Sequence, residues 1–266
     1  MKSKKTLVLF LILCFLTILI VVSSVLFSVK TVVGYCYNAD DATLNEQVVE
    51  ASQVKLKKGS NIFLVREKEV IAEVESKLPN VWVINVERVF PSGVYINYVK
   101  IKEYFVVQNK DKYLYVSNNG KILRTSALPE SEKRIKLLFD GNPLSTEAGD
   151  MLFDADSNAC SILTGFMSAL HRMEGKSDNI VAMFDFVDMS MIDKNELFVK
   201  TAAGVCIEIQ YPGMHLFEKV RFAVSVLNQT DFDHKSKGTI TVYDAKDGVH
   251  ATWTEKDKYA EIKSQN

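Results

Sequence analysis

The stretch from Lys57 to Val99 constrains the fold more than any other part of the chain, because it holds a complete sequence of structural punctuation. A turn signal, Lys58-Gly59-Ser60-Asn61, leads into a short apolar step, Ile62-Phe63-Leu64-Val65. Val70, Ile71, Val74 and Leu78 then recur at helical spacing, with Glu67, Lys68, Glu69, Glu73, Glu75 and Lys77 on the other face. Pro79 stops the helix. Val81–Val86 and Val94–Val99 read as two strands joined by the turn Pro91-Ser92-Gly93. Phe63, Val74, Leu78, Val86 and Ile96 are the expected core, while Lys77 is expected on the solvated face. A helix followed by a hairpin needs one more strand and helix to close a core. Upstream, Val29–Tyr37 reads as extended, and Thr43-Leu44-Asn45-Glu46 reads as a capping box opening a short helix with Leu44, Val48 and Ala51 on one face. Residues 30–100 are therefore expected to run β-α-α-β-β.

The N-terminus bears on location. Between Lys5 and Lys30 lie 24 uncharged residues, long enough as a helix to cross a bilayer core of about 30 Å. Lys2, Lys4 and Lys5 precede the run, so the positive-inside rule puts the N-terminus in the cytoplasm and residues 31–266 outside it. The run exceeds a signal peptide's apolar region and no small-residue cleavage site follows, so an uncleaved anchor is expected.

Beyond residue 100 the patterns favour strands: 103–108, 113–116, 121–123, 135–139, 180–187, 196–201, 205–210, 238–243 and 249–253. Helices are expected at 158–174, closed by Gly175, and at 216–227. Residues 255–266 are charged and expected to be a flexible tail.

Composition and motifs exclude several functions. Four of the 32 basic residues lie in residues 1–30, leaving 28 against 33 acidic ones, and so mildly acidic a body does not suit nucleic acid. Cys14, Cys36, Cys160 and Cys206 are scattered and form no zinc spacing; buried free thiols are the first reading and one disulfide the second. His171, His215, His234 and His250 have no ligand spacing, so neither metal nor cofactor is expected. Ser52-Gln53-Val54-Lys55, Ser117-Asn118-Asn119 and Lys200-Thr201-Ala202 imitate the motifs of a penicillin-binding transpeptidase. Ser52, however, falls at the end of a short helix and Lys55 runs into a solvated turn, so no enzyme and no small-molecule substrate is expected.

The order of elements, with Gly59-Ser60-Asn61-Ile62-Phe63, Leu78-Pro79-Asn80-Val81 and Val86-Glu87-Arg88-Val89-Phe90-Pro91, resembles the POTRA domain of the FtsQ/DivIB family of bacterial cell-division proteins. The resemblance implies an α+β fold: a single N-terminal transmembrane helix, a POTRA-like β-α-α-β-β domain, and a mainly antiparallel β-domain with flanking helices. The implied boundaries are a cytoplasmic tail at 1–5, the transmembrane helix at 6–29, the POTRA-like domain at 30–100, the β-domain at 101–254 and the tail at 255–266. It also implies a non-enzymatic septal scaffold in the plasma membrane, with small bitopic proteins of the FtsB/DivIC and FtsL type as partners. A POTRA-bearing secretion or envelope-assembly protein is the alternative. The final strand pair is the implied docking edge, with Tyr243, Gly248, Val249, Ala251 and Trp253 as contacts and Lys219 and Arg221 facing an acidic partner segment. Tyr243 and Trp253 serve equally well as β-domain core.

Overall fold

The computed structural model describes residues 2–174, 177–229 and 237–265 and divides into two compact units, 1–101 and 102–266. Residue 175, the expected helix stop, lies outside the described residues. All four cysteines are free thiols.

The first unit begins with helix α1 (Lys2–Leu26). Among the described residues no helix is long and apolar enough to cross a membrane, which corrects the expected transmembrane helix over 6–29.

Strand β1 (Thr31–Cys36), helices α2 (Ala42–Ser52) and α3 (Glu67–Lys77), and strands β2 (Val81–Val89) and β3 (Gly93–Lys100) follow in the expected β-α-α-β-β order. The sheet runs β1-β3-β2, with β1 parallel and β2 antiparallel to β3. Both helices cover one face, where Leu44, Val48, Val70, Val74, Val81, Val86, Ile96 and Tyr98 are buried together. Helix α2 lies so close to β1 that a Cβ on Gly34 would come within 2.8 Å of the Asn45 carbonyl oxygen.

Local expectations differ in four places. Asp41, not Thr43, caps α2: its carboxylate accepts the Leu44 N–H at 3.0 Å. Phe63 is 56% exposed, because a 3₁₀ turn at Ile62–Leu64 buries Ile62 and turns its neighbour outward. Lys77 is exposed on the polar face as expected, but it also donates to the Ala51 carbonyl at 3.1 Å and so ties α3 to the end of α2. Finally, the acidic face of α3 is not merely solvated. Glu75 accepts the Val83 N–H at 2.9 Å and Glu67 the Val86 N–H at 3.2 Å, so α3 occupies donors along the outer edge of β2.

The second unit is one nine-stranded sheet: β4 (Phe105–Asn109), β5 (Lys112–Val116), β6 (Ile122–Ser126), β7 (Ile135–Leu138), β8 (Phe184–Asp188), β9 (Glu196–Thr201), β10 (Cys206–Gln210), β11 (Thr239–Ala245) and β12 (Gly248–Thr254). Their spatial order is β12-β11-β10-β9-β8-β7-β4-β5-β6. Five of the pairings are antiparallel; β4–β7, β7–β8 and β10–β11 are parallel. Helices α4 (Asn158–Glu174), α5 (Ser177–Met183) and α6 (Leu216–Leu227) bury Leu163, Phe166, Ile180, Val220 and Ala223 against one face. The strand expected from residue 180 therefore starts only at Phe184, since Ile180 and Val181 reach the core from a helical turn.

The opposite face carries helix α7 (Lys258–Gln265) in place of the expected flexible tail. Tyr259 and Ile262, one helical turn apart, pack on Met191, Phe198 and Cys206. At the far end of the sheet, Ile122 exchanges backbone hydrogen bonds of 2.8 Å with Gly149 and Asp150, so the 149–152 segment lies along β6.

Candidate functional site

Strand β12 ends the nine-stranded sheet and pairs only with β11 among the described residues. A two-residue turn, Lys246-Asp247, joins the strands, and Gly248 takes a φ of +133° that suits glycine. The register pairs Val242 with Ala251 and Asp244 with Val249.

The direction of the edge groups follows from the next strand in. The Cys206 N–H donates to the Gly238 carbonyl at 2.9 Å, and Cys206 is in register with Thr239 on the parallel β11. Residues of β11 in phase with 238 (Ile240, Val242 and Asp244) therefore turn their backbone groups toward β10. Those in phase with Thr239 turn theirs toward β12. Opposite Val242 and Asp244, the N–H and C=O of Ala251 and Val249 point to the outer edge. That edge is a template for another strand.

Side chains of β12 sort by face. Val249, Ala251 and Trp253 are half-buried against the core on the α6 side. Tyr243 lies on the other face, its ring 6.2 Å from that of His250. Trp253 thus has the packing of a core residue and Tyr243 does not. Gly248 is exposed at the turn, and Arg221 is exposed on α6.

Lys219 is not where the expectation put it. It is fully buried and therefore unavailable to a partner segment. Its ammonium donates to the Gln210 and Tyr211 carbonyls at 2.8 and 3.0 Å and pairs with Asp244 at 2.5 Å. That bond from Lys219, with a second from His215, holds the Asp244 carboxyl below the usual carboxylate range. The pair ties the start of α6 to β11 directly behind the edge.

The sequence reading missed the polar layer under α7. Asp188 accepts from the Tyr259 hydroxyl at 2.8 Å and pairs with Lys263 at 3.1 Å. Glu208 accepts from Thr241 and Lys258, each at 2.7 Å. Burial pushes both carboxyls up, but their hydrogen bonds outweigh it and leave each below its ordinary value. Lys200 adds a 2.6 Å bridge to Asp257. The available signal was phase: in Cys206-Ile207-Glu208-Ile209 the glutamate alternates with core residues, so it marks a second covered face.

The transpeptidase-like motif has no matching geometry. Ser52 is buried and its hydroxyl donates to the Val49 carbonyl at 2.7 Å, while Lys55 lies 3.8 Å from Glu69. Among the described residues no group of acidic, histidine and cysteine side chains is placed to hold a metal ion.

No curated protein matches the chain. Residues 40–104 match the family model for the POTRA domain, FtsQ-type, which spans α2 to β3 of the first unit. The matched segment of the first unit is therefore an FtsQ-type POTRA domain, which supports the resemblance to the FtsQ/DivIB family.

Proposed function

We propose that the protein is a non-enzymatic scaffold of the bacterial division machinery. It acts at the septum and holds small bitopic partners of the FtsB/DivIC and FtsL type. The observation that carries the reading is the outer edge of β12, where Val249 and Ala251 turn their backbone groups outward in a chain that also carries an FtsQ-type POTRA domain. A partner segment added there as a further strand gains main-chain hydrogen bonds from the edge and apolar contact from Val249, Ala251 and Trp253. Tyr243 and Gly248 flank the hairpin, and Arg221 on α6 supplies a charge for an acidic partner residue.

Ala251→Pro tests this. It removes an outward N–H while leaving the β11 side of the ladder intact. The expected result is loss of co-purifying division proteins with a near-native thermal melt, and loss of septal fluorescence if recruitment depends on the same edge. A folded variant that retains its partners at the level of the parent chain moves the site elsewhere.

A further inference from the structure

At the foot of α1, three segments converge and present a bare aromatic surface. The Phe27 carbonyl accepts the Ile62 N–H at 2.9 Å, the Val29 N–H donates to Ser60 at 2.8 Å, and the Lys30 N–H donates to Ser92 at 2.9 Å. These bonds bring three rings together: Phe27 to Phe63 at 5.2 Å, Phe63 to Phe90 at 5.3 Å, and Phe27 to Phe90 at 6.3 Å. The cluster is not core. Phe63 and Phe90 are 56% and 55% exposed, and Leu64 beside them is 76% exposed.

Charge distinguishes this surface from the rest of the acidic body. Residues 27–32, 57–66 and 88–93, which form it, carry Lys30, Lys57, Lys58, Arg66 and Arg88 and no carboxylate of their own, with Glu67 and Glu87 at its borders. Arg66 is engaged by Glu69 and Arg88 by the Val65 carbonyl, while Lys30, Lys57 and Lys58 are exposed. The aromatic patch is also continuous with α1, whose Val22, Val25 and Leu26 are exposed.

We propose that this tip of the POTRA domain seats on an anionic lipid surface, with Phe63, Leu64 and Phe90 in the headgroup boundary and Lys30, Lys57 and Lys58 on lipid phosphates. Exposed rings beside lysines, with no acid among them, match the two layers of such a surface: an apolar boundary beneath negative headgroups. The contact requires no helix that crosses the bilayer and is separate from the β12 edge, so either proposal stands if the other fails.

The test places an environment-sensitive nitrobenzoxadiazole label at Leu64→Cys in the full chain. Cys14→Ser removes one native thiol, and the other three are buried. The control label is at Tyr37→Cys, exposed at the other end of β1, about 20 Å away at roughly 3.3 Å per residue. Phe90→Cys provides a second reporter in case the first disturbs the turn. Vesicles of phosphatidylcholine with and without phosphatidylglycerol carry spin-labelled lipid as quencher. The labels at 64 and 90 are expected to be quenched severalfold more than the label at 37. That excess should need phosphatidylglycerol and fall with Lys30→Glu, Lys57→Glu and Lys58→Glu together. Equal quenching at 64 and 37 in pelleted vesicles overturns the proposal. So does a blue shift at 64 that tracks protein concentration without lipid, which would assign the surface to a second copy of the chain.

Discussion

Lys219→Met separates a structural role from a partner-binding one. The methionine keeps most of the apolar stem and removes a buried ammonium whose hydrogen-bonding partners are Asp244, Gln210 and Tyr211. Hydrogen bonds to charged groups contribute about 1.5–3 kcal/mol each, and breaking a buried ion pair costs about 3–5 kcal/mol. Asp244 is 28% exposed and keeps His215 at 3.0 Å, so water replaces part of what it loses. The two carbonyls lose their cation in a closed site. The expected cost therefore lies at the low end, about 3 kcal/mol. In a unit of this size each kcal/mol moves the melt by about 2–4 °C, which predicts a fall of about 6–12 °C. Calorimetry of the full chain should show the second unit's transition moving while the POTRA transition stays. Below the melt the variant should retain whatever division proteins co-purify with the parent chain, because the buried ammonium has no path to a partner. A melt lowered by less than about 2 °C would refute the claim that this ammonium locks α6 to β11.

Other perturbations test the remaining packing. Gly34→Ala drives a Cβ toward the Asn45 backbone and is expected to destabilise the POTRA unit by about 1–3 kcal/mol in a urea melt. Val74→Asp buries a carboxylate with no partner and should cost several kcal/mol, whereas Lys77→Ala, which loses the bond to Ala51 and an exposed pair with Glu73, should cost about 1 kcal/mol; equal urea midpoints would reverse the face assignment of α3. Asp188→Asn is expected to loosen α7, read as faster labelling of the buried Cys206 thiol, whose pKa burial pushes up to about 12. Because the Asp188 carboxyl is depressed in the folded state, its contribution is present above the unfolded value near 3.9 and is lost as pH falls through the folded one; α7 amide exchange that ignored acid would count against the latch.

The POTRA unit was legible because its signals are local. Pro79, the Gly59-Ser60-Asn61 turn and the valine spacing of α3 each act within a few residues, and together they define β-α-α-β-β. The β12 hairpin was legible for the same reason, through strict alternation around a glycine turn. What escaped depends on distant partners. Lys219 sits in a helix as polar as any surface lysine's, and only the return of β11 after residue 238 brings Asp244 against it. Tyr259 and Ile262 stand in a charged tail, and their helix is worth forming only over the face that Phe198 and Cys206 leave open. Phe63 erred the other way: an aromatic next to Ile62 reads as core, but one 3₁₀ turn buries just one of the two.

The two glutamates that α3 lays along β2 also set how many neighbours the protein can take by strand addition. A sheet open at both ends can pass its ladder from molecule to molecule without limit, which is the geometry of a fibre. Here β2 is stopped by Glu67 and Glu75, and the start of β6 by the 149–152 segment, so each sheet keeps β1 or β12 as its remaining terminal strand. Any chain of strands begun on either sheet terminates inside the same molecule. Among the described residues, strand addition is thereby limited to one terminal strand per sheet, so neither ladder can be extended from both of its ends.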